Sequence, residues 1–207
     1  MSGYDWASLV RLSAERAGFN KSTLLRGQSF SKGGEVSPSL QFFLQRVTNT
    51  EVAPIAWLGV YVEEFEREWL DRLRHVTSSP QDLDEDPPFC LLADNIERLR
   101  PRPWAPANTP SSEDAASMRL WCDHVFEHAE ALPSSMPDLI TAITKNDLDG
   151  RGCKLWNCVG HPVKVRGFVR WLARNHGLVI PERRLAELPD RTEPYDLSVM
   201  LDDRPGA

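Results

Sequence analysis

The sequence predicts an α+β fold: a small antiparallel sheet of three or four strands packed against helices, with a mainly helical C-terminal half. Three observations carry this. Residues 40–47 read LQFFLQRV, with Leu40, Phe42 and Leu44 at every second position, the period of a strand with one face on a core. Residues 55–62 read IAWLGVYV and are apolar on both faces, as a strand in the middle of a sheet or beneath a helix should be. From Glu63 the apolar period becomes helical, through Phe65, Trp69, Leu73 and Val76, and helical stripes dominate again beyond residue 110.

Taken in order, residues 5–17 form a short helix with Trp6, Leu9, Val10, Ser13, Ala14 and Ala17 on one side. Gly18 follows where a left-handed cap belongs. Leu24, Leu25 and Phe30 mark a modest first strand within residues 19–31, and SKGGEVSPS reads as a hairpin turn. The two central strands follow, and the helix after them is expected to cover the sheet. Glu63 with Arg67 and Glu68 with Arg72 stand four apart on its outer face, acid first, the more favourable order. TSSPQDLDEDPP is an exposed linker, and residues 89–99 return to apolar content as a strand rejoining the sheet. In RPRPWAPANTP the prolines deny regular structure, and Trp104 pins the segment to the body.

Ser111 with Asp114 resembles a capping box opening a helix that Pro133 closes. Its core stripe is Met118, Trp121, Cys122, Val125, Phe126, Ala129 and Leu132. A shorter helix follows from Pro137 through Leu139, Ile140 and Ile143. A last one starts at Pro162, turns Val165, Phe168, Val169 and Leu172 inward, and stops at Gly177. A further turn of helix is expected at Arg184–Leu188. The organisation is thus a sheet portion over 1–100, a helical portion over 101–188 packed on it as one domain overall, and an acidic tail over 189–207.

The 207 residues carry a formal charge of −6, which argues against nonspecific binding of nucleic acid by the whole surface. No apolar run approaches the ~20 residues of a membrane-spanning helix, and the start, MSGYDWASLV, lacks the basic flank and apolar core of a secretory signal. Four cysteines with no export signal read as reduced thiols in a cytoplasmic protein.

Several motifs invite a chemical reading. His124-Val125-Phe126-Glu127-His128 matches the H-x-x-E-H pattern of a class of zinc peptidases, in which two imidazoles hold the metal and the carboxylate activates its water. On this helix, however, Glu127 points nearly opposite the apolar face and both imidazoles fall on its flank, so a solvated flank is the simpler reading. Cys153, Cys158 and His161 have the donor types for zinc but lack a second cysteine pair and a fourth ligand. Residues 146–150, NDLDG, imitate part of a calcium loop, yet the alignment puts Lys145 and Trp156 at ligand positions. They read as a helix-ending turn. No phosphate-binding loop or nucleophile elbow is present, and no cofactor is expected.

Charge sorting is the remaining signal. Residues 62–99 hold eleven acids against four arginines, a net of −7, and residues 151–184 hold eight Lys or Arg against Glu182, a net of +7. The acidic set includes Glu63, Glu64, Glu66, Asp82, Asp84, Glu85 and Asp86; Arg166, Arg170 and Arg174 repeat every four residues along one helix. This pattern reads either as a solvated face balancing acid elsewhere in the molecule or as a partner-binding surface. An acidic lobe suits inhibition of a basic nuclease. An Arg-lined helix suits RNA, although no aromatic residues interleave it.

The first half resembles the domain-of-unknown-function 4304 family of uncharacterised bacterial proteins. The resemblance lies in AGFNK, LQFFLQRV, IAWLGVYV with its following helix, and LADNIERLRPRPW, over about residues 5–145. It implies an α+β fold with an antiparallel sheet and supplies no catalytic residues. Small acidic bacterial domains of this kind are similar to immunity proteins of toxin systems. The expected function is therefore a cytoplasmic, non-enzymatic protein of the immunity or antitoxin type, binding a protein partner such as a toxin. A metal-dependent hydrolase using the H-x-x-E-H helix and an RNA-binding module using the Arg-lined helix are the alternatives.

Overall fold

A computed structural model of the chain describes residues 5–22, 28–76, 90–95, 100–104, 112–146 and 162–179. Its first helix, α1 (Trp6–Arg16), is capped by the Asp5 carboxylate, which accepts from the Ala7 N–H at 3.1 Å. It ends in a Schellman motif: Phe19 N–H donates to Ala14 O and Gly18 N–H to Glu15 O. Gly18 adopts φ +72° there, where a Cβ would be strained.

Five strands follow as a sequential antiparallel sheet, β1 (Asn20–Lys21), β2 (Gln28–Ser31), β3 (Ser37–Arg46), β4 (Val52–Tyr61) and β5 (Leu91–Asn95). The expected first strand is thus two short ones, and residues 23–27, with Leu24 and Leu25, lie outside the described residues. The β2–β3 hairpin turns through Gly33 and Gly34, both with positive φ. β4 lies between β3 and β5, which explains its apolar character on both faces. Trp104 closes an isolated bridge with Val52, anchoring the proline-rich segment as expected.

The two faces of the sheet differ. Leu40 opposes Leu58, and Phe42 opposes Ala56, on the face that meets the helices. There α3 (Ser112–Glu130) brings Trp121 and Phe126 to 5.6 and 5.5 Å of the Phe42 ring, and Phe126 also meets Phe19 and Phe30. All seven residues of the α3 stripe named from sequence are buried. α1 lies beside α3, with Arg16 bridging to Asp123 at 2.7 Å. Next comes α4 (Met136–Lys145), capped by Ser135 and closed by Asn146 in the left-handed conformation. The rest of the calcium-like stretch, 147–150, lies outside the described residues.

α2 (Glu63–Val76) packs its buried Phe65 and Trp69 against α5 (Pro162–His176). Phe65 lies 4.8 Å from Phe168 and 5.9 Å from Trp171, and Gly167 lets the Trp69 ring approach its backbone. Only Val62 separates β4 from α2, and the second helix covers part of the apolar stripe. Among the described residues no helix is long and apolar enough to cross a membrane.

Candidate functional site

Two polar features lie where β4 runs into α2. The first is buried. Glu66 is only 5% exposed and Lys164 only 3%, so neither can serve as a surface charge. The Lys164 ammonium donates to both Glu66 oxygens, at 2.8 Å to Oε1 and 2.9 Å to Oε2. The Cys90 thiol donates to Glu66 Oε1 at 3.2 Å and accepts from the Val62 N–H. Glu66 sits in the first turn of α2, where the helix dipole favours an anion. Lys164 sits in the first turn of α5, where the dipole opposes a cation, so the carboxylate is what makes its burial tolerable. Burial, with the Glu66 charge next, pushes the Cys90 thiol well above its ordinary pKa. Burial likewise carries Cys122 up to about 12. Neither thiol is poised as a nucleophile.

The second feature is a pocket of about 140 Å³ on the sheet face turned away from α3. Its floor follows from strand register. Ser31 opposes Ser39 and Ser39 opposes Gly59, a cross-strand row of small side chains. Ser37 opposes Tyr61 in the next row on the same face, and Ser22, the Gly33–Gly34 turn and Glu63 complete the lining. Small residues leave the depression, and the alternation of Ser29 and Ser31 with Phe30 puts hydroxyls on one face and the aromatic ring on the other.

The pocket is chemically quiet. Burial first, then the charges of Glu66, Cys90 and Glu63, raises the Tyr61 phenol to about 12, so it stays neutral near pH 7. The Ser37 hydroxyl accepts from the Gly33 N–H at 3.1 Å, and the Ser39 hydroxyl donates to the Ser37 carbonyl. Glu63 is the one acidic residue among the described lining residues; its side chain is 70% exposed and pairs with Arg67 at 3.3 Å. Hydroxyls, a neutral phenol and one carboxylate bind polar groups well. Among the described lining residues none is a histidine, lysine or cysteine that could activate a serine.

The charged residues singled out from sequence are redistributed by the fold. Glu63 and Glu64 are exposed in the first turn of α2, whereas Glu66 is withdrawn into the core by Lys164. Arg174 bonds Glu68 at 2.7 Å, and Arg72 bonds the same oxygen at 2.6 Å. Arg166 and Arg170 are half-buried. The acidic and basic stretches are therefore partly neutralised against each other between α2 and α5. This corrects the expectation at Glu66, which packing of the apolar stripes buries against Lys164 instead of leaving it in an exposed acidic field. Asp82, Asp84, Glu85 and Asp86 lie outside the described residues.

The metal candidates divide the same way. His124 and His128 are half-buried and stack edge to face at 4.6 Å, while Glu127 is exposed. Among the described residues no three histidine, cysteine or carboxylate side chains are grouped to hold a metal. Cys153, Cys158 and His161 lie outside the described residues, as do Ser111 of the capping box and the segment from 180 onward.

Comparisons of the chain with known protein families, with characterised proteins and with solved structures find no match to any of them.

Two signals for these features were present in the sequence. Glu66 lies three and seven residues before Trp69 and Leu73, hence on the apolar stripe, and Lys164 lies four and seven before Phe168 and Trp171. Opposite charges, each set inside an apolar stripe, point to a buried pair. The serine alternation at 29 and 31, and again at 37 and 39, marks one polar sheet face.

Proposed function

We propose that this chain is a non-enzymatic bacterial binding protein of the immunity or antitoxin type, acting in the cytoplasm by covering a basic protein toxin. The observation supporting this is how the fold uses its ionisable groups. Glu66, Glu68, Lys164 and Arg174 are engaged in internal pairs, and both described thiols are buried. Among the described residues at the polar pocket, Glu63, with Glu64 next to it on the same turn, faces solvent in an exposed pair with Arg67, and the hydroxyls of Ser31, Ser37 and Ser39 lie behind it. Such a surface offers a basic partner complementary charge and hydrogen bonds without a reactive centre. The half-hidden arginines give the RNA-binding alternative less exposed cation to work with.

The test is calorimetry of the purified chain against secreted toxins encoded beside its gene. A sub-micromolar complex that weakens as salt rises, and weakens further in the Glu63→Lys/Glu64→Lys double variant, is the expected outcome. Failure of every neighbouring toxin to bind more tightly than micromolar would remove the reading.

A further inference from the structure

Resting on that reading, we propose that the serine-floored pocket receives the head of one basic side chain, an arginine or lysine carried by the partner protein. Size sets the first limit. A pocket of about 140 Å³ is well below the roughly 300–1,000 Å³ of sites that enclose whole small molecules, so a single side-chain head suits it better. Polarity sets the second. Among the described lining residues every side chain ends in a hydroxyl or a carboxylate, and the one formal charge among them is negative, on Glu63. A guanidinium or ammonium supplies donors alone, which those oxygens can accept.

Two cations among the described residues stand near the pocket. Lys32, next to the Gly33–Gly34 turn, swings to the opposite side, with its ammonium 5.0 Å from the centre of the Phe19 ring and 3.3 Å from Glu130. Arg67 meets Glu63 in an exposed pair along the helix surface, which an incoming cation can displace. The remaining lining is fixed in advance. Ser37 and Ser39 are buried and hydrogen-bonded within β3 and to the hairpin turn, so their oxygens hold position without a guest. Tyr61, kept neutral, adds a further acceptor and does not compete for the cation with a charge of its own.

The experiment titrates the ¹⁵N-labelled full chain with N-acetyl-argininamide and, in parallel, with its neutral isostere N-acetyl-citrullinamide, following backbone amide shifts. Saturable shifts centred on Ser31, Gly33, Gly34 and Tyr61 are expected for the arginine compound, with at least about tenfold weaker binding of the citrulline compound. Glu63→Gln should weaken the arginine compound by about tenfold. Ser31→Leu, at a half-exposed position that can fill the pocket without entering the core, should abolish the shifts while leaving the folded spectrum intact. Equal binding of both compounds, shifts scattered over the surface, or undiminished binding to Ser31→Leu would overturn the proposal. A toxin that binds Ser31→Leu as tightly as the parent would overturn it too, while leaving the binding-protein reading standing.

Discussion

At the scale of single residues, the Glu66–Lys164 pair is the most consequential arrangement in the molecule. A buried ion pair adds little net stability over an apolar substitute, because both charges lose their water. Breaking it is another matter. Lys164→Met leaves a carboxylate buried beside Cys90 with no counter-charge, and should lower unfolding free energy by about 3–5 kcal/mol in urea denaturation. Glu66→Met/Lys164→Met together should recover most of that loss. If the double variant is no better than the single one, the pair is not what sustains the site. The thiols give an independent check on packing. With Cys90 and Cys122 both buried and their pKa values raised, neither should be alkylated by iodoacetamide at pH 8 in the native chain, and both should react in denaturant. Peptide mapping after brief labelling reads this directly.

At the scale of elements, the contact between α2 and α5 decides where α5 sits. It is built on Phe65, Trp69, Phe168 and Trp171, and on the absence of a side chain at Gly167. A Cβ there would stand 2.7 Å from Trp69 Cζ3, inside contact distance. Gly167→Ala gains helix propensity but must displace a buried ring, so the expected result is a net loss of about 1–3 kcal/mol, seen as a lower Tm. An unchanged or higher Tm would mean the interface can shift to accommodate the methyl group. The same interface carries a pH dependence. Burial alone would raise the Glu68 pKa, but the Arg174 hydrogen bond and charge, with Arg72 beside them, outweigh it and hold the carboxyl below its ordinary value of 4.5. A depressed folded pKa contributes stability that is present above the unfolded value and lost as pH falls through the folded one. The chain should therefore lose stability on acidification below about pH 4.5, with a shallower loss in Glu68→Gln. Identical acid profiles for the two would remove Glu68 from the account.

At the scale of the whole molecule, the described parts of the acidic stretch 62–99 and of the basic stretch 151–184 meet where α2 packs on α5, and Glu66, Glu68, Lys164 and Arg174 are paired there. Among the described residues, the acids of the first α2 turn, Glu63 and Glu64, face outward near the polar sheet face. Neutralising it with Glu63→Gln/Glu64→Gln should leave the urea midpoint nearly unchanged, since exposed charges contribute under about 1 kcal/mol, while weakening a basic partner and flattening the salt dependence of binding. A large loss of stability in that variant would mean these acids serve the fold instead.

Much of this architecture was legible in local patterns. The alternation through Leu40 and Phe42, the doubly apolar β4, the α3 stripe from Met118 to Leu132, and the stops at Gly18 and Gly177 each depend on neighbours within a few residues, and the structure carries them as read. The i,i+4 pairs Glu63–Arg67 and Glu68–Arg72 were legible for the same reason. The contact of α2 with α5 was not, because a periodic stripe says that a helix is covered and not by what. The serine floor escaped notice because its signal is small polar residues in register across β2, β3 and β4, and register between strands is a long-range property.

By itself, then, the sequence determined the type and order of the main described helices and strands and the apolar side chains they turn inward, since helix and strand periods are properties of the local backbone. Only the tertiary structure decided that α5 covers α2, that Glu66 leaves the surface for Lys164, and that serines from separate strands line one pocket. Those outcomes depend on contacts between residues as far apart as 66 and 164, where burying apolar area outweighs the preference of each charge for water.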